Sequence, residues 1–276
     1  MSSQPRLGIV GGGNMGFAIA RGVLAARILA PDEILIVEHD PARHDRLAPL
    51  DCPVVASTVD VLAADEILLA VKPQHFAETA RRIGRLDRSR VVISIMAGLE
   101  SSAIRAHLGE AARIVRVMPN TPCQVGEGMT GIALGDGARP GDEALSRDIF
   151  GAVGRVAMVP ESHMHAVTAV SGSGPAYVYL LAELMTDAAR ALDLEPAVAR
   201  LLVEQTIIGA GRMLRESSME AEALRRVVTT PGGTTAAAVD VMEARGLRET
   251  MVDALRAARD RGQQLGDAAN TSDAGG

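Results

Sequence analysis

The sequence is poor in the residues on which several classes of protein depend. Two cysteines in 276 residues, Cys52 and Cys123, are too few for a disulfide framework or a cysteine-based metal cluster. The six histidines are scattered, so the sequence predicts no metal site. No apolar run approaches the roughly 20 residues of a membrane helix. A net charge of −6 and a pI near 5.6 speak against a nucleic-acid-binding surface.

The residues that are present give the composition of a soluble globular protein. Hydrophobic residues make up 47% of the chain and charged residues 22%, which excludes disorder throughout and suffices for one large or two medium domains. The first six residues lack the basic-then-apolar layout of a signal peptide. We expect a cytoplasmic protein that handles small molecules, without membrane or nucleic-acid partners.

Lysine and asparagine are so scarce that their positions are informative. Lys72 is the one lysine in the chain, and asparagine occurs only at Asn14, Asn120 and Asn270. A coding bias toward arginine, alanine and glycine explains the scarcity itself. Lys72, Asn14 and Asn120 nevertheless all fall in motifs that follow predicted strands.

Up to about residue 160, short apolar runs rich in Val and Ile alternate with amphipathic stretches. Such runs are typical of parallel strands covered on both faces, and their alternation with helices predicts a doubly wound α/β sheet. The expected strands are Leu7–Gly11, Ile34–Glu38, Val54–Ser57, Ile67–Val71, Val91–Met96, Ile114–Met118, Gly128–Gly135 and Arg155–Pro160. The expected helices of this half are Met15–Ala26, Phe76–Ile83 and Asp142–Ala152.

After Pro160 the strand pattern stops. Helical spacing predicts helices over 175–193, 196–215, 221–228, 235–244 and 247–265. We therefore expect an α/β domain at 1–160, an all-α domain at 161–266 and a disordered tail at 267–276.

The run Gly11-Gly12-Gly13-Asn14-Met15-Gly16 has the pattern G-x-G-x-x-G between the first strand and the first helix. Its first glycine permits a tight turn, its second lets the backbone approach a pyrophosphate, and its third lets helix and strand pack closely. Glu38 ends the second strand about 20 residues later, where an acid binds the adenosine ribose. Strand, helix and acid together favour a Rossmann-type dinucleotide-binding domain over a purely structural turn.

Glu38 also bears on the choice of cofactor. A carboxylate accepts a hydrogen bond from a free 2′-hydroxyl and repels a 2′-phosphate, which favours NADH. Arg43 and Arg46 follow closely and offer a 2′-phosphate a partner, although a solvated helix face explains both arginines in so arginine-rich a chain. The expected cofactor is NADPH or NADH, with a lean toward NADH.

Two further motifs end strands of the predicted sheet. Ala70-Val71-Lys72-Pro73 ends the fourth strand, and Met118-Pro119-Asn120 ends the sixth. Ligands of open α/β sheets lie outside the carboxyl ends of the strands, so both motifs are expected beside the nicotinamide half of a dinucleotide. The alternative is that the prolines merely stop their strands and that Lys72 is solvated.

Two turns precede helices in the second half. In Ser171–Pro175, Ser173 suits the N-cap and Pro175 the first helical position, but Ser171 and Gly172 are left unexplained and allow close approach of a ligand. Thr229–Thr235 offers the N–H groups and hydroxyls of a helix start to a small anion. A plain connection between helices explains the second turn equally well.

Together these segments resemble the Δ1-pyrroline-5-carboxylate reductase family. The matching runs occur in family order between about residues 7 and 265, and they are Ile9–Gly16, Ala70–Pro73, Val115–Pro122, Ser171–Tyr177 and Val228–Thr235. The last two are specific to the family, whereas the first is shared by many dehydrogenases. Thr230 and Ser57 depart from the pattern, since the family more often has serine and asparagine at these positions.

The resemblance implies NAD(P)H-dependent reduction of a cyclic imine to L-proline, the last step of proline biosynthesis. It implies a Rossmann-type domain followed by an all-α C-terminal dimerisation domain, a homodimer with the site between subunits, and dimers that can assemble into decamers. Because a protonated imine is already electrophilic, the protein mainly has to position the two partners and bind the substrate carboxylate.

The resemblance also implies the site residues. Thr235 is the catalytic residue, because its hydroxyl hydrogen-bonds the ring nitrogen. The substrate contacts are Glu161, Ser173, Thr230, Gly232, Gly233, Thr234 and Thr235. The cofactor contacts are Gly11, Gly12, Gly13, Asn14, Met15, Gly16, Glu38, Arg43, Ser57, Ala70, Val71, Lys72, Pro73, Ile95, Met96, Ala97, Met118, Pro119 and Asn120.

Two other interpretations stay open. One is a reductase of the same two-domain plan that acts on another imine or on a β-hydroxy acid. The enzymes acting on β-hydroxy acids usually need a catalytic lysine in the helical domain, where this chain has none. The other is a non-catalytic dinucleotide sensor with a protein partner, which predicts cofactor binding without turnover.

Overall fold

The computed structural model describes residues 4–271, with the side chains described up to Gly266. The chain divides into two compact units. An α/β unit comprises the chain up to Ser173 together with the chain from Ala257 onward, and a helical unit comprises Gly174–Arg256.

The α/β unit is built on one eight-stranded sheet. Its strands are β1 (Leu7–Val10), β2 (Ile34–Val37), β3 (Val54–Val55), β4 (Glu66–Leu69), β5 (Arg90–Ser94), β6 (Ala112–Met118), β7 (Gly128–Leu134) and β8 (Gly154–Met158). They lie in the order β3-β2-β1-β4-β5-β6-β7-β8. All neighbouring pairs are parallel except β6 and β7, which are antiparallel. The predicted Rossmann-type sheet is thereby confirmed.

Helices connect these strands and make up the helical unit. They are α1 (Asn14–Ala25), α2 (His44–Leu47), α3 (Phe76–Ile83), α4 (Ser101–Leu108), α5 (Ala144–Gly151), α6 (Met164–Val167), α7 (Gly174–Ala191), α8 (Pro196–Glu216), α9 (Ala221–Val227), α10 (Thr234–Ala244) and α11 (Leu247–Thr271). Helix α4 was not predicted from the sequence, because its eight residues carry only two large aliphatic side chains, Ile104 and Leu108.

Both faces of the sheet are covered, which is why the strands read as continuous apolar runs. In β1, Leu7 and Ile9 belong to one core cluster, whereas Val10 belongs to the other. In β4, Leu68 belongs to the first cluster, whereas Ile67 belongs to the second. Successive residues of a strand point to opposite faces, so a strand buried on both faces shows no polar alternation.

The helical unit buries little apolar surface within one chain. Among its residues, Ala199 and Val203 are the buried apolar side chains. Large apolar side chains on α7 and α8 are instead exposed, including Leu184 at 57% and Leu201 at 67%. An apolar face of this extent is typical of a surface that associates with another chain.

The compact units divide later than the domain boundary predicted at residue 160. Residues 161–173 pack on the sheet, as shown by the hydrogen bonds from Ser101 to Glu161 and from Asn120 to the Ser171 carbonyl. A boundary at 160 followed by a domain over 161–266 stays a prediction. No helix among residues 4–271 is long and apolar enough to cross a membrane.

The tail predicted to be disordered at 267–276 requires a correction. Helix α11 continues to Thr271, because Gly266 is buried against the loop after β5 and anchors the preceding turn, while alanines at 268 and 269 favour further helix. The remaining residues, 272–276, lie outside the described part of the chain.

Candidate functional site

The turn after β1 can exist in this form only with glycine. Gly11 has φ of +110°, and a Cβ there would lie 2.8 Å from the Ala70 carbonyl oxygen. A Cβ on Gly16 would overlap the Gly11 carbonyl oxygen. A Cβ on Gly13, in contrast, would have Arg43 Nη1 at 3.9 Å as its nearest neighbour, and Gly13 begins α1 without a side-chain cap. The turn therefore leaves room and free N–H groups for a pyrophosphate, so its residues fit a dinucleotide.

Glu38 holds this turn in shape from the end of β2. Its side chain is buried. Oε2 accepts hydrogen bonds from the Gly12 N–H at 3.0 Å and from Arg43 Nη1 at 3.2 Å, and Oε1 accepts one from the Asp40 N–H at 3.0 Å. The carboxylate predicted to bind the ribose thus also stabilises the glycine turn after β1. Its charge is paired with Arg43, a partner that the sequence spacing did not indicate.

Both arginines after β2 contact the glycine turn. Arg43 lies beside Gly13, where its Nη1 is the nearest atom to an added Cβ. Arg46 donates to Asn14 Oδ1, and its guanidinium lies over the Phe17 ring at 4.7 Å from the centroid. The alternative of a purely solvated helix face does not describe these contacts, because both cations lie beside the place where phosphates are expected.

The loops after β3, β4 and β5 reach the same edge of the sheet. A Cβ on Gly11 would lie 3.4 Å from the Val71 nitrogen, which places the Ala70–Pro73 loop against the glycine turn. The Ile95 N–H donates to the Leu69 carbonyl at 3.2 Å and ties the loop after β5 to β4. Ser57 and Lys72 are exposed. In the described part of the chain the Lys72 ammonium group has no hydrogen bond or ion pair, so its role in cofactor binding stays a prediction.

Asn120 joins three segments at the end of β6. Its Nδ2 donates to the Ser171 carbonyl at 3.2 Å, and its Oδ1 accepts from the Met129 N–H at 2.9 Å. The segment Thr168–Gly172 is a single π-helical turn, and a Cβ on Gly172 would lie 2.5 Å from Met118 Cε. The pair Ser171-Gly172, which a helix cap did not explain, thus packs on the loop that begins at Met118.

The turn before α10, in the helical unit, has the geometry of a small anion site. Gly232 has φ of +74°, and the Gly233 N–H donates to the Thr230 carbonyl at 3.0 Å. Gly233 begins α10 without a side-chain cap, so the N–H groups of Thr234 and Thr235 face outward unpaired by the helix. A carboxylate is the kind of group that such a helix start binds.

Known proteins resemble the chain over nearly its whole length. A family model described as pyrroline-5-carboxylate reductase dimerisation matches residues 161–265, and one described as NADP oxidoreductase coenzyme F420-dependent matches residues 6–98. Pyrroline-5-carboxylate reductase from Synechocystis sp. is 40% identical over 269 residues, covering 95% of this chain and 98% of its own. The chain belongs to the pyrroline-5-carboxylate reductase family.

Solved structures of the reductase family share the fold. A pyrroline-5-carboxylate reductase from Coxiella burnetii superposes with a TM-score of 0.88 at 35% identity, covering 95% of this chain and 99% of its own. The Plasmodium falciparum pyrroline carboxylate reductase, with NADP bound, gives 0.84 at 31% identity, covering 96% and 99%. The predicted family and the use of a nicotinamide dinucleotide are confirmed.

Glu161, which the resemblance to this reductase family implied as a substrate contact, has hydrogen-bond partners within the α/β unit. Its Oε1 accepts from the Ser101 N–H at 3.0 Å and from Arg116 Nη1 at 3.2 Å, and its Oε2 accepts from Ser101 Oγ at 2.7 Å. These bonds engage the carboxylate within the α/β unit. They link the start of α4, strand β6 and the segment after β8, and the implied substrate contact of Glu161 stays a prediction.

Ser101 and Arg116 are the residues of this part of the reductase that sequence reasoning missed. Arg116 is 4% exposed in the middle of the apolar run of β6. A buried guanidinium needs an anionic partner, so this arginine could have indicated a buried acid even without a structure. Ser101 gave no such signal, because a serine at a helix start is common.

The roles that the resemblance implied for Ser173 and Thr235 stay predictions. Ser173 directly precedes α7, and its N–H donates to the Thr168 carbonyl at 2.8 Å. Thr235 is half-buried in the first turn of α10.

The two cysteines are held as neutral thiols. Burial raises the pKa of the Cys52 thiol to about 11 and also raises the pKa of Cys123, which disfavours a thiolate at either.

Proposed function

We propose that the chain reduces the imine of 1-pyrroline-5-carboxylate to L-proline with NADPH or NADH, the last step of proline biosynthesis. The observation that carries the proposal is a pair of uncapped helix starts in a chain of this family. One follows the glycine turn and suits a pyrophosphate, and the other follows Gly232-Gly233 and suits a carboxylate.

Within this reaction the chain positions its ligands. The dinucleotide, when bound, supplies a hydride for the imine carbon. The N–H groups of Thr234 and Thr235 hold the substrate carboxylate, and the Thr235 hydroxyl oxygen accepts a hydrogen bond from the protonated ring nitrogen. The loops that start at Ala70, Ile95 and Met118 line the nicotinamide half. Of the other family-implied substrate contacts, Thr230 lies just before α10 in sequence, and Ser173 lies just before α7.

We propose that both NADPH and NADH serve. Glu38 alone would repel a 2′-phosphate, but its Oε2 is paired with Arg43 at 3.2 Å. Arg46 adds a second cation beside the same turn. The balance of charge at the adenosine end is therefore more favourable to a phosphate than the isolated Glu38 in the sequence indicated.

The helical unit is proposed to form a homodimer in the cytoplasm. Its exposed leucines on α7 and α8 need a partner surface, and the matched dimerisation family model names the kind of partner. A decamer built from such dimers is the larger assembly that the resemblance implies. Light scattering on the purified protein distinguishes the two assemblies by mass.

The first experiment follows the loss of reduced-nicotinamide absorbance with pyrroline-5-carboxylate, with NADH and NADPH measured side by side. Protein concentration needs a colorimetric assay, since the chain has no tryptophan and 2 tyrosines. Turnover with either cofactor supports the proposal. If the folded protein binds cofactor but reduces pyrroline-5-carboxylate with neither NADH nor NADPH, another imine becomes the first candidate substrate. A non-catalytic dinucleotide sensor is then the second alternative.

A Thr235→Ala variant tests the catalytic assignment. Loss of a hydrogen bond to a charged nitrogen is expected to lower kcat/KM by about 10- to 100-fold while NAD(P)H binding is retained. Thr186→Ala is the matched control, because the Thr186 hydroxyl is already bonded to the Ala182 carbonyl inside α7. Activity of Thr235→Ala equal to that of the control would remove Thr235 from the mechanism.

A further inference from the structure

The loop after β5 and the last turns of α11 meet backbone to backbone. Gly98, with φ of +81°, would carry a Cβ 3.3 Å from both the Gly262 carbonyl oxygen and the Gly266 nitrogen. In the opposite direction, a Cβ on Gly266 would overlap the Gly98 carbonyl oxygen. Gly98 and Gly266 are both buried. No flexible side chain lies between these backbones, so neither can absorb an added atom without moving.

The loop after β5 is also fixed at both of its ends. At its start, the Ile95 N–H donates to the Leu69 carbonyl at 3.2 Å, and the Met96 N–H contacts Ser94 Oγ at 3.4 Å. At its end, Ser101 is held by the Glu161 carboxylate. The contact with Gly266 supplies support between these two ends. Only Ala97, of residues 95–98, is exposed.

We propose that Gly266 is a positioning residue for the nicotinamide half of the cofactor, acting through Gly98. The C-terminal helix presses on the loop Ile95–Gly98 from behind and sets how far its backbone extends toward the nicotinamide. This inference rests on the proposed function, because it takes Ile95–Ala97 to be a nicotinamide contact. It adds a role for the end of α11, which the matched motifs do not include.

Gly266→Ala is the direct test. The new methyl group must push away the Gly98 carbonyl, and the displacement passes along the loop to Ala97. A misplacement of about 1 Å at reacting groups costs up to about 100-fold in rate, so we expect kcat/KM for the reduced cofactor to fall at least tenfold. Affinity for ADP-ribose, which lacks the nicotinamide, should stay within about twofold, because Gly11–Gly13 follow β1 and Glu38 follows β2, whereas Gly98 follows β5.

Gly262→Ala is the matched control on the same helix. The change is chemically identical and gains the same helix propensity, but the added Cβ would lie 3.4 Å from His165 Nδ1, an ordinary contact distance. We expect its kinetics to equal those of the wild type. Thermal unfolding by circular dichroism and the oligomeric mass are measured for both variants.

A second readout separates this inference from the proposed function. The emission of bound NADH reports the surroundings of the nicotinamide directly, and no tryptophan interferes with it. If the wild type binds NADH but fails to reduce pyrroline-5-carboxylate, the proposed reaction is refuted, while the NADH emission still tests the role of Gly266. A changed NADH emission with unchanged ADP-ribose affinity in Gly266→Ala supports that role.

Three outcomes overturn the inference. The first is wild-type kinetics and NADH emission in Gly266→Ala. The second is an equal loss of ADP-ribose affinity, since the contact would then support the whole α/β unit. The third is the same kinetic loss in Gly262→Ala, which would point to the helix in general.

Discussion

The Glu66 carboxyl at the start of β4 is expected to make the stability of the protein depend on pH. Its Oε2 is buried without a hydrogen-bond partner among the described residues. Burial raises its pKa to about 7, and Asp142 and Asp65 act in the same direction, while Arg6 and Arg113 oppose the rise. The charged carboxylate is therefore held in a site that favours the protonated acid.

The size and sign follow from proton linkage. The folded pKa of about 7 lies above the ordinary value of 4.5, so the folded state binds the proton more tightly than the unfolded chain. The free energy of unfolding should thus fall as pH rises from about 4.5 through 7. The full difference corresponds to about 3.4 kcal/mol at 1.36 kcal/mol per tenfold change in proton affinity. Solvent screens a side chain that is only partly buried, which reduces the expectation to about 1–2 kcal/mol.

Glu66→Gln removes the charge and keeps the shape. We expect the variant to be more stable than the wild type by about 1–2 kcal/mol at pH 8 and equal to it near pH 4.5. Urea unfolding followed by circular dichroism at several pH values, at one protein concentration, measures this difference. Glu78→Gln, on the exposed surface of α3, is the control. An unchanged pH dependence in Glu66→Gln would refute the reasoning.

Two further predictions concern the cofactor and the assembly. Arg43→Ala should lower kcat/KM for NADPH about tenfold and leave NADH within about twofold, since one charge-assisted bond to a 2′-phosphate is lost. Arg82→Ala serves as its control, and an equal loss with both cofactors would contradict the proposal. Leu184→Glu places a charge on the exposed face of α7 and should halve the mass of the dimer in light scattering. Val125→Glu, at an exposed apolar position in the α/β unit, should leave that mass unchanged.

The strands of the sheet could be predicted from the sequence because the signal for each strand lies within a few consecutive residues. The central strands are apolar runs that are buried on both faces, and each begins or ends near a glycine, a proline or a polar residue. The direction of β7 was not predictable in this way, because an apolar run has the same pattern in either orientation. Helix α4 was too short to give a periodic signal.

The same distinction between local and long-range signals applies to the candidate site. The glycine turn and Glu38 follow from spacing within one strand–helix–strand unit. The partners of Glu161 do not, because Ser101 and Arg116 lie 60 and 45 residues away in sequence. The backbone contact of Gly266 with Gly98 is more distant still, and neither glycine belongs to a motif. Long-range pairings of this kind depend on how the chain packs, which residue type and spacing do not encode.

The hydrogen bonds of Glu38 have a kinetic consequence. Because the Gly12 N–H and the Asp40 N–H are both held by this carboxylate, the glycine turn has its shape before any nucleotide arrives. The conformational entropy of the turn is lost during folding and not during association. Cofactor exchange between turnovers then needs no remodelling of the adenosine end. Encounter by diffusion, steered by Arg43 and Arg46, is left to set the association rate there.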